Sequence, residues 1–117
     1  MATIALATAG AVAVAPGAAE GPAATAAATK KVKVADDAYS PKRLKVPKGT
    51  RIKWVWSSRN TRRHDVYMDR RPKGAQRFNS PPAISSFRFA RKLRKPGRYT
   101  FLCTFHEGMR MRIDVSR

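Results

Sequence analysis

The stretch that decides the fold is YTFLCTFHEGM, residues 99–109, close to the carboxyl end of the chain. Within it Cys103, His106 and Met109 follow one another with two residues between neighbours. Phe101 and Cys103 fall on one face of a predicted strand, because side chains alternate between the two faces of a strand. A strand that ends at the cysteine, followed by a tight loop, is expected to gather a thiolate, an imidazole and a thioether around one point.

A fourth metal-binding side chain comes from a distant part of the chain. His64 lies in phase with Val66 and Met68 on a candidate strand, so it is expected to face the core. Two imidazoles, a thiolate and a weak thioether are the donor set of a blue-copper electron-transfer centre, whereas zinc alone does not require the thioether. Any one of these residues alone would be read as packing, and only their joint spacing and parity predicts a metal site.

From residue 31 onwards, short alternating segments separated by turn residues predict an all-β domain. The turns Pro47-Lys48-Gly49 and Pro96-Gly97 are the clearest boundaries. The segment 69–83 is predicted to be a long surface excursion. A Greek-key β-sandwich of about seven or eight strands is the expected fold. Candidate strands cover 31–35, 43–46, 50–56, 64–68, 85–90, 98–103 and 109–115.

The amino-terminal segment 1–29 is rich in Ala, Gly, Thr and Pro and is predicted to lie outside the folded domain, which covers 30–117. Its apolar run, 4–15, is shorter than the ~20 residues that a membrane-spanning helix needs. The run fits the apolar region of a secretory signal, although a positively charged start is missing. We expect export to the periplasm, cell envelope or exterior, with no transmembrane anchor in the mature form; a disordered Ala-rich tail is the alternative.

The formal net charge is +18, and all 25 Lys and Arg residues lie at or after Lys30. Such a charge favours contact with an anionic partner but does not identify it. Nucleic-acid binding would favour aromatic side chains among exposed basic residues, whereas Trp54, Tyr99 and Phe101 are predicted to point into the core. The single cysteine excludes an internal disulfide, so stability beyond the core must come from a partner or a metal.

Taken together, these motifs resemble the cupredoxin family of blue type 1 copper proteins, with plastocyanin-like and amicyanin-like features. The resemblance covers nearly all of 31–115 and is far more specific than any single motif. The segments that carry it are YSP (39–41), VPKGT (46–50), Trp54, HDV (64–66), PGRY (96–99) and the ligand loop.

The resemblance implies one copper ion held by His64, Cys103, His106 and Met109. Met111 competes for the axial position by its distance from His106, but aligning the last strand with the family's ending favours Met109. Met111 then stands where the family usually has glycine.

The resemblance also implies roles for residues around the ligands. Asp65 is expected to tie the loop of the first histidine to the cysteine loop through Thr104, and such bonds orient metal ligands. Phe105 replaces a common proline and so retains an N–H that can bond the thiolate sulfur and raise the reduction potential.

The function expected from this resemblance is transfer of single electrons between Cu(I) and Cu(II) by a monomer, without catalysis of bond-making chemistry. Four arginines flank the ligand loops and are expected to steer a transient acidic redox partner: Arg59, Arg62, Arg63 and Arg110. Copper storage or delivery at the cell envelope is the first alternative. A basic polyanion-binding module is the second, and no specific nucleic acid is expected as a partner.

Overall fold

The computed structural model describes residues 28–117, and eight β-strands in two sheets account for the regular structure of this part. The predicted all-β sandwich is therefore confirmed. Residues 1–27, which hold most of the predicted signal segment, lie outside the described residues. The strands are β1 Thr29–Ala35, β2 Ala38–Ser40, β3 Arg43–Pro47, β4 Thr50–Trp56, β5 Tyr67–Arg70, β6 Arg88–Leu93, β7 Gly97–Leu102 and β8 Arg110–Ser116.

The first sheet has the strand order β2-β1-β4-β6. Strand β1 forms a hairpin with β2 and pairs in parallel with β4, whose other edge pairs antiparallel with β6. The hairpin turn consists of Asp36 and Asp37, and Asp37 adopts a left-handed backbone with φ of 72°. This turn places two carboxylates at the end of the sheet where the loop before His64 runs.

The second sheet has the order β3-β8-β7-β5. Strands β7 and β8 pair antiparallel with Phe101 opposite Met111, and β3 joins the other side of β8 in parallel. Since β7 ends at Leu102 and β8 begins at Arg110, the ligand loop connects two adjacent strands. Its two ends are therefore held by the sheet itself.

The core lies between the sheets and is built from the alternating residues that the sequence predicts to face inward. Ile52, Trp54 and Trp56 on β4 are buried, while Arg51 on the opposite face is exposed. Trp54 makes an edge-to-face contact with Phe101 across the sandwich, with ring centroids 5.1 Å apart. Aromatic pairs of this geometry stabilise the folded protein beyond what burial of the rings alone contributes.

Three expectations about local structure are corrected. Strand β2 was not predicted, because three residues next to a turn carry almost no periodic signal. The strand predicted at 64–68 starts only at Tyr67. His64 lies before this strand and forms an isolated bridge with Ala83. The strand predicted at 85–90 is shifted toward the carboxyl end and spans Arg88–Leu93, where Phe89 and Leu93 supply the buried positions.

The excursion after β5 is also less superficial than expected, because Ala75 and Ser80 within it are buried and Phe78 packs against the core. Within residues 28–117, no helix has the length and apolarity required to cross a membrane.

Candidate metal centre

The loop from Cys103 to Met109 is closed by its own backbone. The Cys103 N–H donates to the Met109 carbonyl at 3.0 Å, and the Met109 N–H donates to the His106 carbonyl at 3.3 Å. Gly108 adopts φ of 83°, a left-handed conformation that glycine accepts without steric cost. The short spacing of the sequence motif thus folds into a compact turn directly after β7.

His64 reaches the same place from the segment that precedes β5, the strand in which Tyr67 pairs with Leu102 of β7. Its N–H donates to the Ala83 carbonyl at 2.9 Å, and its own carbonyl accepts from Ala83 at 3.0 Å and from Trp56 Nε1 at 3.2 Å. The side chain is fully buried. With both backbone groups engaged and the ring enclosed, His64 is held in one position before any metal binds.

The structure brings His64, Cys103 and His106 together, with one ligand atom from each lying within 4.8 Å of the others. Cys103 Sγ lies 3.6 Å from His106 Nδ1, and the two imidazole rings have centroids 4.7 Å apart. His64 and Cys103 are buried, whereas His106 is half-buried. The cluster is therefore enclosed except along one edge of His106.

The ring nitrogens of His64 have different surroundings. Nε2 lies 2.8 Å from Asp36 Oδ1, while Nδ1 is buried without a hydrogen-bond partner among residues 28–117. The hydrogen bond with His64, followed by that from the Thr61 N–H, holds the pKa of Asp36 well below its usual range. An ionised carboxylate only accepts hydrogen bonds, so Nε2 is the ring nitrogen that carries a proton, and in the neutral ring Nδ1 then keeps a free lone pair.

Burial raises the pKa of the Cys103 thiol above its usual range, although the backbone N–H groups of Asp65, Phe105 and His106 lower it in part. These N–H groups stabilise a thiolate when one forms. The Phe105 N–H expected from the sequence is among them. Together with the unpartnered Nδ1 of His64, this environment fits a metal bound by thiolate and imidazole.

Asp65 joins the two ligand-bearing segments by two hydrogen bonds from Thr104. The Thr104 N–H donates to Oδ1 at 2.8 Å, and its hydroxyl donates to Oδ2 at 2.7 Å. The backbone carbonyl of Asp65 also accepts from the buried Tyr39 hydroxyl at 2.5 Å. The contact with Thr104 is the one that the sequence resemblance implies, and Tyr39 adds a link to β2 that the sequence did not suggest.

The two methionines of the axial question lie in different surroundings. Met109 is buried at the end of the ligand loop, next to the cysteine backbone. Met111 is buried on β8, and its sulfur accepts a hydrogen bond from Trp54 Nε1 at 3.4 Å. Met111 therefore packs in the core and does not belong to the loop that carries the other donors.

Two of the four arginines expected near the site form ion pairs with carboxylates. Arg62 forms an ion pair with Asp37, and Arg110 forms one with Asp69 at 3.3 Å. Arg63 lies over the ring of Phe105, 5.8 Å from its centroid. Arg59 is exposed.

Phe105, which precedes His106, has 45% of its surface exposed. The surface beside His106 thus combines an exposed aromatic ring with the guanidinium of Arg63.

Asp36 is a site residue that the sequence analysis missed. It contacts His64 across 28 residues of sequence, a separation that no local pattern reveals. The available signal was an acidic pair, Asp36-Asp37, in a chain with only 7 acidic residues.

The sequence model of the family described as "Cupredoxin-like domain" matches residues 3–115. The chain belongs to this family. The match begins within the segment predicted to be signal-like, whose role stays a prediction. No curated protein sequence matches the chain at a significant level.

Solved cupredoxin structures share the fold. A reduced amicyanin variant with phenylalanine in place of a proline has a TM-score of 0.66 and 23% identity, covering 75% of this chain and 82% of that one. A pseudoazurin from Sinorhizobium has a TM-score of 0.65 and 20% identity, covering 78% and 75%. A copper-containing nitrite reductase from Thermus scotoductus has a TM-score of 0.66 and 21% identity, covering 91% of this chain but 31% of that one. In this cupredoxin fold, His64, Cys103 and His106 form the candidate copper site.

Proposed function

We propose that this protein carries single electrons through one copper ion held by His64, Cys103, His106 and Met109. The observation that carries the proposal is the buried Nδ1 of His64, which has no partner among residues 28–117 and lies on a ring adjacent to Cys103 and His106. A buried polar atom without a partner costs free energy, and a bound metal would remove that cost.

The donor set selects copper among the common metals. Two imidazoles and a thiolate with a long axial thioether are typical of blue-copper sites, and the buried Met109 at the end of the ligand loop supplies the thioether. Copper in such a site alternates between Cu(I) and Cu(II) and so accepts or donates one electron. The protein contributes a nearly fixed set of donors, because His64 and Cys103 are held by backbone hydrogen bonds at both ends of the site.

His106 is the expected point of electron entry and exit. It is the half-buried member of the cluster, and it follows the exposed Phe105. We propose that a transient acidic redox partner docks on this surface and that Arg59 and Arg63 guide it, since the guanidinium groups of Arg62 and Arg110 already pair with carboxylates. The protein would act as an exported monomer, in the periplasm, cell envelope or exterior, and would catalyse no bond-making step.

The deciding experiment is the visible spectrum of residues 29–117 and of the full chain after addition of Cu(II), with Cys103→Ser as the matched control. We expect an intense thiolate-to-copper band near ~600 nm in the native protein and none in the variant. A folded, reduced protein without this band would overturn the proposal. A band accompanied by rapid transfer of copper to a competing chelator, without oxidation or reduction by small redox reagents, would indicate copper delivery instead.

A further inference from the structure

The carboxylate of Asp36 contacts the outer side of a candidate copper ligand. Asp36 Oδ1 lies 2.8 Å from His64 Nε2, and the opposite nitrogen, Nδ1, is the buried atom left without a partner in the described part of the chain. A carboxylate can only accept from the ring, so this contact determines which nitrogen carries the proton. The tautomer it selects is the one that leaves Nδ1 able to bind a metal.

We propose that Asp36 is a positioning residue that sets the tautomer and basicity of His64 and thereby lowers the reduction potential of the copper site. The inference rests on the proposed function, because it concerns the same four ligands. Carboxylates behind metal-bound histidines fix ring orientation and increase ligand basicity in other metalloproteins. Asp36 itself would not touch the metal.

Asp36 is well suited to this role because both of its oxygens are held in place. Oδ2 accepts from the Thr61 N–H and from the Thr61 hydroxyl, each at 3.1 Å. Oδ1 accepts from the Arg62 N–H at 3.2 Å in addition to its contact with His64. The carboxylate thus joins the β1–β2 turn, to which Asp36 belongs, to the loop that leads to His64.

The negative charge of Asp36 is not cancelled by a neighbouring cation. The guanidinium of Arg62 pairs with Asp37, and among residues 28–117 no lysine or arginine forms an ion pair with Asp36. The protein as a whole has a net charge of +18, but Asp36 places a negative charge directly behind a candidate ligand. Its field reaches the site through the imidazole, which is shielded from water.

The direction of the effect follows from charge. Reduction of Cu(II) to Cu(I) adds one electron and lowers the positive charge at the site, so a nearby negative charge stabilises Cu(II) more than Cu(I). Removing the charge should weaken Cu(II) binding by about 10- to 100-fold, with a smaller effect on Cu(I). A tenfold selective loss of Cu(II) affinity corresponds to a rise of about 59 mV for a one-electron couple.

The test compares Asp36→Asn with two matched controls. Asp36→Asn keeps the size of the side chain and one accepting oxygen but removes the charge. Asp37→Asn removes the same charge one residue away, from a side chain that pairs with Arg62 and not with His64. Thr61→Val removes one hydrogen bond to Asp36 without altering its charge. The reduction potential is measured by redox titration of the blue band, after circular dichroism has shown that each variant folds.

We expect the potential to rise in Asp36→Asn by more than in Asp37→Asn or Thr61→Val. An equal or smaller change in Asp36→Asn overturns the inference while leaving the proposed function intact, because the band itself reports the copper site.

A second measurement needs neither copper nor a variant. Nitrogen-15 NMR of the metal-free native protein should show the His64 proton on Nε2, and a proton on Nδ1 would overturn the inference. This measurement tests the tautomer assigned to His64 even if Asp36→Asn fails to fold.

Discussion

Trp54 Nε1 donates a hydrogen bond to Met111 Sδ at 3.4 Å inside the core of the sandwich. Trp54 is fully buried, so this sulfur satisfies the polar atom of its indole ring. Met111 stands where the sequence resemblance places a glycine, and its side chain therefore has a structural role of its own. The hydrogen bond with Trp54 distinguishes Met111 from Met109, the other candidate for the axial position.

The first prediction follows from the different surroundings of Met109 and Met111. Met109→Leu should shift the visible spectrum and the reduction potential of the copper-loaded protein, because the axial thioether tunes a blue-copper site. Met111→Leu should leave both nearly unchanged but lower the free energy of unfolding by about 1 kcal/mol or more, since it leaves the Trp54 N–H unpaired. Visible spectroscopy and urea unfolding of the two variants distinguish these outcomes, and a spectral change only in Met111→Leu would reverse the assignment.

The second prediction concerns the link between Asp65 and Thr104. Replacing Asp65 by Ala removes two hydrogen bonds to a buried carboxylate and should lower the free energy of unfolding of the metal-free protein by about 2 kcal/mol. Thr104→Ser retains both donors and should cost much less. Thr104→Val removes only the hydroxyl donor.

A double-mutant cycle of Asp65→Ala with Thr104→Val, measured by urea unfolding, isolates the contribution of the hydroxyl bond. Strict additivity of the two substitutions would show that the hydroxyl bond does not contribute to stability.

Much of the fold could be predicted from sequence because the signal is local. The alternation in β4 and β7 identifies inward-facing residues such as Ile52 and Phe101 directly, and both are fully buried. The spacing of Cys103, His106 and Met109 predicts a compact loop for the same reason, since all three lie in one short turn.

The remaining features depend on contacts between distant segments. Asp36 meets His64 only because β1 and β4 pair in parallel, which places the β1–β2 turn beside the loop that follows β4. His64, the first residue of the predicted strand 64–68, forms an isolated bridge with Ala83, which belongs to an excursion without regular periodicity. Such pairings arise from the three-dimensional arrangement of the strands and leave no pattern in a single sequence.

The third prediction contrasts the outer faces of the two sheets. On the first sheet Arg51 lies opposite Lys92 on the antiparallel strand β6, and strands β1, β4 and β6 contain no acidic residue. On the second sheet Asp114 pairs with Arg98 at 2.9 Å and lies beside Lys45 in the ladder. Like charges directly opposite each other destabilise a sheet, whereas opposite charges stabilise it.

Lys92→Glu should therefore raise the free energy of unfolding by about 0.5 kcal/mol, and Lys45→Glu should lower it by a similar amount. Both effects should shrink as salt is added, because the charges are exposed to solvent. Thermal unfolding at low and high ionic strength measures them. The same sign for both variants would contradict the electrostatic explanation.

The fourth prediction concerns the surface beside His106. Oxidation of the reduced copper protein by the anionic hexacyanoferrate(III) ion should slow steeply as ionic strength rises, whereas oxidation by a cationic cobalt(III) phenanthroline complex should not. Arg63→Gln should lower the rate with the anion at low salt. Arg94→Gln is the matched control, because Arg94 precedes β7 at the end of the sandwich opposite Cys103. Equal effects of the two variants would show that only the net charge matters.

The fifth prediction derives a pH dependence from Cys103. Burial raises the pKa of this thiol, so at neutral pH the metal-free protein holds a proton that a metal must displace. The sign follows directly: below the raised pKa, each unit of decrease in pH should weaken Cu(II) binding by about tenfold through the thiol alone. Competition with a chelator of known pH dependence, between about pH 7 and about pH 8, measures this slope. Cys103→Ser provides the reference, since a serine hydroxyl does not ionise in this range. If the two proteins showed the same slope, the thiol would already be ionised in the metal-free state, and the backbone N–H groups of Asp65, Phe105 and His106 would outweigh the effect of burial.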